Sequence, residues 1–240
     1  MKSLVHASWA DVEILRGRVA ELTESPTLVA AASRFTQAFV ESFDSVVLAR
    51  LFAVLPFRSL PALEHEYVRS RTSSTRLGNE TPCLCLLGTH GRGGAWCDRT
   101  ASAGHLAIPL LDSNSVSDAP MIAKLLSDLD VDLKVLDDGR PIATRMMPGG
   151  RNGTFYVSDA MTEQDGRDRY IIPGRDFVEK FAIRTVFGMG GTYVDGTLVV
   201  AILFCDEKVD RLTVDRFPSF ISSFKMATSR LAAQRLIFPA

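Results

Sequence analysis

Ile183–Glu207, IRTVFGMGGTYVDGTLVVAILFCDE, reads as two apolar strands joined at Asp195-Gly196. Asp-Gly between apolar runs signals a two-residue hairpin turn, which needs positive φ at both central residues. Leu198 to Cys205 is apolar without a break, so both faces of that strand are expected to be covered. A helical pattern follows from about Asp215 to Leu236, with Phe217, Phe220, Ile221, Phe224, Ala227 and Leu231 on one stripe. Pro218 falls in its first turn, where a missing donor costs little. A buried antiparallel hairpin handed to a closing helix suggests a sensory α/β domain more than a catalytic one.

The bulk numbers agree with a globular chain. Its 240 residues are 46% hydrophobic and 23% charged, enough for a substantial core in one domain with appended helices. A formal net charge of -1 gives no global electrostatic reason to expect nucleic acid or an acidic membrane. No apolar run approaches the ~20 residues that span a bilayer, and the N-terminus has no apolar signal core. The expected location is the cytoplasm, where Cys83, Cys85, Cys97 and Cys205 would be mostly reduced thiols.

Working toward the N-terminus, residues 8–23 read as a helix capped by Ser8 and Asp11. Its Val12, Leu15, Val19 and Leu22 form a narrow stripe of the kind that makes a helix-pair seam. Ser25-Pro26 restarts the chain, and Phe35, Phe39, Phe43, Val46 and Val47 continue at helical spacing to about Leu51. Pro56 and Pro61 break the pattern, and a polar loop is expected over Arg69–Arg76. The expected boundary near 52–62 divides a helical arm, 1–55, from a mixed core, 56–240. Within that core the pattern predicts strands at Cys83–Leu87 and His105–Leu111, a helix over Ser117–Leu129, a short strand at Leu133–Leu136 and a long loop over 137–152. A strand over Gly153–Val157 and a short helix over Asp176–Ala182 complete it.

Several motifs invite chemistry. Cys83 and Cys85 share one face of a strand, with His90, Cys97 and His105 further on. They lack the paired C-x-x-C spacing of structural zinc sites and read as ordinary thiols and core residues. Gly188-Met189-Gly190-Gly191 resembles half of a dinucleotide fingerprint, but a strand follows it where the fingerprint needs a helix. It reads instead as a thin place in the sheet, beside a neighbouring element or ligand. Asp159, Asp165 and Asp168 lack the regular oxygen spacing of a cation loop. Arg69, Arg71 and Arg76 read as solvated. No nucleophile-elbow, H-E-x-x-H or catalytic-cysteine signature is present. Trp96 fits equally a lid over a pocket or a rim residue of the core.

The order of elements, with several local segments, resembles GAF domains, and more narrowly the GAF-like sensors of bacterial histidine kinases. Phe155-Tyr156-Val157-Ser158-Asp159 looks like their strand-to-Asp step, and Ile183–Phe187 like a strand start. Asp195–Leu203 is similar to their hairpin strand, with Ala201 where Gly is common. Leu87-Gly88-Thr89, Trp96–Arg99, Gly104–Leu110 and Pro120–Leu126 fit the narrower likeness, which covers residues 80–236.

The resemblance implies an α/β (α+β) fold with a GAF-like central antiparallel sheet flanked by helices. The apolar stripes of the N- and C-terminal helices are expected to pair in a parallel homodimer, closed two-fold symmetry being the commonest assembly. The resemblance also implies a non-catalytic, small-molecule-sensing regulatory module whose ligand is unknown and which acts on a signalling partner. Candidate ligand-binding residues are Trp96, His105, Met121, Phe155, Asp159, Phe187 and Met189. No metal site and no output module after the last helix are expected. Two alternatives remain: a thiol- or metal-based redox sensor using Cys83, Cys85 and Cys97, and a cysteine-based sulfoxide reductase using the loop residue Cys97.

Overall fold

Strand β1, Val46–Pro56, runs through the middle of the sheet, between the next strand of the chain and the last. The computed structural model describes residues 2–72, 75–102, 104–137 and 153–239. Before β1 come helices α1 (Trp9–Ala20) and α2 (Leu28–Ser42). After it come α3 (Ala62–Arg71), β2 (Pro82–Gly91), β3 (Ala107–Pro109), α4 (Ser113–Ser117), α5 (Pro120–Asp128) and α6 (Lys134–Asp137). The chain continues with β4 (Gly153–Val157), α7 (Arg175–Lys180), β5 (Thr185–Thr192), β6 (Leu198–Cys205), α8 (Arg211–Val214) and α9 (Ser219–Ala233).

The six strands form one sheet in the order β3-β2-β1-β6-β5-β4, antiparallel throughout. Alternate residues of each strand feed two separate cores. On β1, Ala49, Leu51 and Ala53 face one core, while Leu48, Phe52 and Val54 face the other. The first face is covered by α1, α2 and α9, whose Phe35, Phe39, Phe220 and Phe224 interlock with ring centroids 5.0–5.5 Å apart. The second face is covered by α5, α7 and the connecting loops, through Leu125, Leu126, Ile172 and Val178.

This double coverage explains the main departures from expectation. Residues 46–51 are strand, not a continuation of α2, because a strand apolar on both faces has no period of its own. The 52–62 boundary falls at the end of this central strand, and α1 and α2 share a core with β6 and α9. Val12, Leu15, Val19 and Leu22 are buried within their own chain, with α1 packed on α9, so they are not free to form a seam between two copies. Arg69 and Arg71 lie in the last turn of α3, so the polar loop begins after them. Residues 134–137 are a helical turn, not a strand. Beyond Asp137, the loop expected over 137–152 lies outside the described residues.

The capping box of α1 forms as expected, with Asp11 Oδ2 accepting from the Ser8 backbone N–H at 2.8 Å. The hairpin also forms, with a different turn. Gly196 alone takes positive φ, 87°, while Asp195 does not. The Gly196 N–H donates to Tyr193 O and the Tyr193 N–H to Thr197 O, each at 3.0 Å, which makes a three-residue hairpin loop.

Candidate functional site

A cavity of about 380 Å³ opens on the second face of the sheet. Its floor is built from β1, β2 and β6 by Leu48, Arg50, Thr89 and Phe204. Strand register sets that floor: Arg50 is directly paired with Thr89 on β2, and Leu48 with Phe204 on β6. Cross-strand partners project to one side of a sheet, so the guanidinium and the hydroxyl enter the same space. The volume lies within the ~300–1,000 Å³ of small-molecule sites.

One wall is the segment between β2 and β3, which folds into two short 3-10 turns, Gly94–Cys97 and Arg99–Ala101. It contributes Trp96, Asp98, Ser102 and His105. A buried ion pair ties this wall to α3: Arg99 Nη2 donates to Glu64 Oε1 at 2.5 Å, and Glu64 is fully buried. Arg99 Nη1 also donates to Leu86 O at 3.3 Å, fixing the wall to β2. The opposite wall comes from Met121 of α5, Ile172–Gly174 and Phe177 of α7. Trp96 meets Phe177 and Phe181 edge-on, with centroids at 5.5 and 4.7 Å, and Phe177 meets Phe204 at 5.5 Å. A smaller cavity of about 40 Å³ continues inward past His105 and Met121.

The polar groups of this cavity are unusual in lacking partners. Arg50 Nε, Thr89 Oγ1 and Ser102 Oγ are buried and bonded to nothing, half of the six such side-chain atoms among the described residues. Burial lowers the Arg50 guanidinium to about 10, still charged at neutral pH. His105 is lowered to about 4, first by burial of its ring and then by the positive charges of Arg50 and Arg71. The residue is surface-exposed and lines the cavity, and its lowered pKa leaves the imidazole neutral at pH 7 beside a cationic neighbour. Asp98, at the mouth, is held below the usual carboxylate range by hydrogen bonds from the Thr100 hydroxyl and backbone N–H, at 2.7 and 2.8 Å.

Of the residues expected to bind ligand, Trp96, His105 and Met121 line the cavity together. Phe155 belongs to the same core but sits on the edge strand β4, two strands from β6 and roughly 10 Å away at ~4.8 Å per strand. Asp159 lies after β4 and pairs with Lys208 at 3.3 Å. Phe187 and Met189 do not belong to this site. They project from β5 to the opposite face, where Phe187 packs on Phe217 at 5.7 Å between centroids. The thin place at Gly190 is filled by Leu129, whose methyls would lie 2.7–2.8 Å from any Cβ added there. Arg50, Thr89, Ser102 and Phe177 were not singled out from the sequence. The available signal was the lone charge of Arg50 within VVLARLFAVL.

The thiols do not converge. Cys83 and Cys85 are buried in the helix-covered core, where desolvation raises Cys83 to about 12 and Cys85 further. Cys97 is exposed and touches Gly91 O at 3.5 Å, six residues beyond Cys85 along β2 and so roughly 20 Å away at ~3.3 Å per residue. No cluster of three metal-ligating side chains occurs among the described residues, and none of their helices is long and apolar enough to cross a membrane.

No protein-family model and no curated protein matches the chain. Among solved structures, the phycocyanobilin-bound GAF domain from a cyanobacterial phytochrome is similar with a TM-score of 0.51 at 10% identity, over 95% of this chain and 98% of that one. The phycoerythrobilin-bound form of such a domain gives 0.50 at 10%, over 95% and 98%. Free methionine-R-sulfoxide reductase from Neisseria meningitidis, in complex with its substrate, gives 0.50 at 11%, over 95% of each chain. At these identities the likeness is one of fold, and the fold is GAF-like: a six-stranded antiparallel sheet flanked by helices.

Proposed function

We propose that this GAF-like chain is a non-catalytic regulatory module that binds a small molecule in the cavity between β1, α5 and α7. The observation that carries the reading is the cavity itself, with an aromatic wall and three lining residues, Arg50, Thr89 and Ser102, that each hold a buried polar atom without a partner. A buried polar group without a partner costs free energy, on the order of 1–3 kcal/mol, unless something bonds to it. Two solved structures of this fold are bilin-bound and a third holds its substrate, which supports a small-molecule role for the fold without naming the ligand here.

The reading is tested by thermal-shift screening against a metabolite set, with Ala101→Trp as a variant that fills the cavity mouth. A ligand at 100-fold above its Kd stabilises by ~2.7 kcal/mol, and the shift should vanish in the variant. Hits that stabilise both proteins equally, or an absence of hits, would refute it. Output is proposed to pass through a homodimer of the terminal helices to a signalling partner. The residues available for it are outward ones, such as Trp9, Ile14 and Met226, because the inner stripe is spent within the chain. A strict monomer at micromolar concentration by light scattering would remove the dimer.

A further inference from the structure

Resting on the reading that this cavity binds a small molecule, we propose that its ligand carries an anionic headgroup, a carboxylate or phosphate, on a flat apolar body. The head sits on Arg50 and Thr89 at the floor, and the body lies against Trp96, Phe177 and Phe204.

Arg50 interrupts an otherwise apolar sheet face, between Leu48 and Phe52, and its Nε has no partner among the described residues. Natural cores rarely hold an unpaired cation, because a buried charge stays costly until a counter-charge arrives. Thr89, 3% exposed, stands in register beside it with Oγ1 equally unbonded. Ser102 Oγ adds a third unbonded group from the wall. A guanidinium presents a planar fork of donors that fits two oxygens of one carboxylate or phosphate. A hydroxyl adds a further donor to the same group. A neutral His105 costs such an anion nothing and still offers a ring N–H. The one carboxylate lining the cavity, Asp98, is turned to Thr100 and leaves Arg50 unpaired.

The test is isothermal titration calorimetry on the full chain with three matched probes: 2-naphthoate, 2-naphthyl phosphate and neutral 2-naphthamide. Wild type should bind at least one anion ten-fold or more tighter than the amide, and which anion wins decides between carboxylate and phosphate. Arg50→Met should abolish that preference, Arg50→Lys should keep part of it, and Thr89→Val should weaken the anion a few-fold. Circular dichroism of each variant establishes that it folds. Equal binding of amide and anions by wild type, or an anion preference that survives Arg50→Met, overturns the anionic head and leaves the small-molecule site standing. Failure of all three probes to bind overturns both.

Discussion

Arg50→Met should make the unliganded protein more stable, although it removes a charged residue from the centre of the sheet. Burial lowers the guanidinium from its usual value to about 10. At ~1.36 kcal/mol for each pH unit, that drop corresponds to roughly 3 kcal/mol against the charged form. Arg50 keeps some contact with the cavity, so about half of this, 1–2 kcal/mol, is the expected gain from a methionine of similar length. For a chain of this size each kcal/mol moves Tm by ~2–4 °C, so the rise should be about 3–6 °C. The sign follows from linkage. A base whose folded pKa is depressed carries its penalty wherever both states are protonated, and loses it only as pH climbs past the folded value. The gain should therefore be constant across the neutral range. Urea unfolding followed by tryptophan fluorescence and circular dichroism measures it, with an unchanged m-value showing that the unfolded state is not involved. A variant that is equally or less stable would mean that Arg50 is satisfied within the fold, and would refute the view that it awaits an anion.

Other outcomes follow from the same geometry. The His105 imidazole should titrate near 4 by NMR, and rise when an anion binds beside it. Because the unfolded chain takes up that proton first, His105 should cost stability as pH falls from 6.5 to about 4, and His105→Asn should flatten the curve over that window. Leu15→Ala should lose ~2–5 kcal/mol of stability with no change in oligomeric state, since Leu15 is fully buried inside its own chain; dissociation of a dimer without loss of monomer stability would contradict this packing. In a native thiol titration Cys97 alone should react promptly, with Cys83, Cys85 and Cys205 appearing only in denaturant, because burial raises all three.

Much of the fold was legible where one periodicity dominated. The closing helix shows its stripe because only one side of α9 is buried, and the β5–β6 hairpin shows its breaks because Gly196 can take a φ that other residues avoid. The likeness to GAF domains rested on the order of such segments. Trp96 and His105 were expected at a pocket rim and Met121 on a lining helix, and these three line one cavity, while Phe187 and Met189, named with them, face the other side of the sheet.

What the sequence determined by itself is thus the set of amphipathic elements, their order, and hence the sheet-and-helix class. Tertiary structure decided the rest. Whether VVLARLFAVL is helix or strand depended on partners, since β1 gains its definition from β2 and β6 rather than from a period of its own. Whether Val12 and Leu15 meet another chain or this one depended on α9 reaching them. Which face of the sheet held the cavity, and so on which side Phe187 and Met189 fell, depended on register, and a residue's face is worth nothing as a clue until one knows what covers it. The site's chemistry is the clearest case. Arg50 and Thr89 are 39 positions apart, and only antiparallel pairing sets an unbonded guanidinium beside an unbonded hydroxyl.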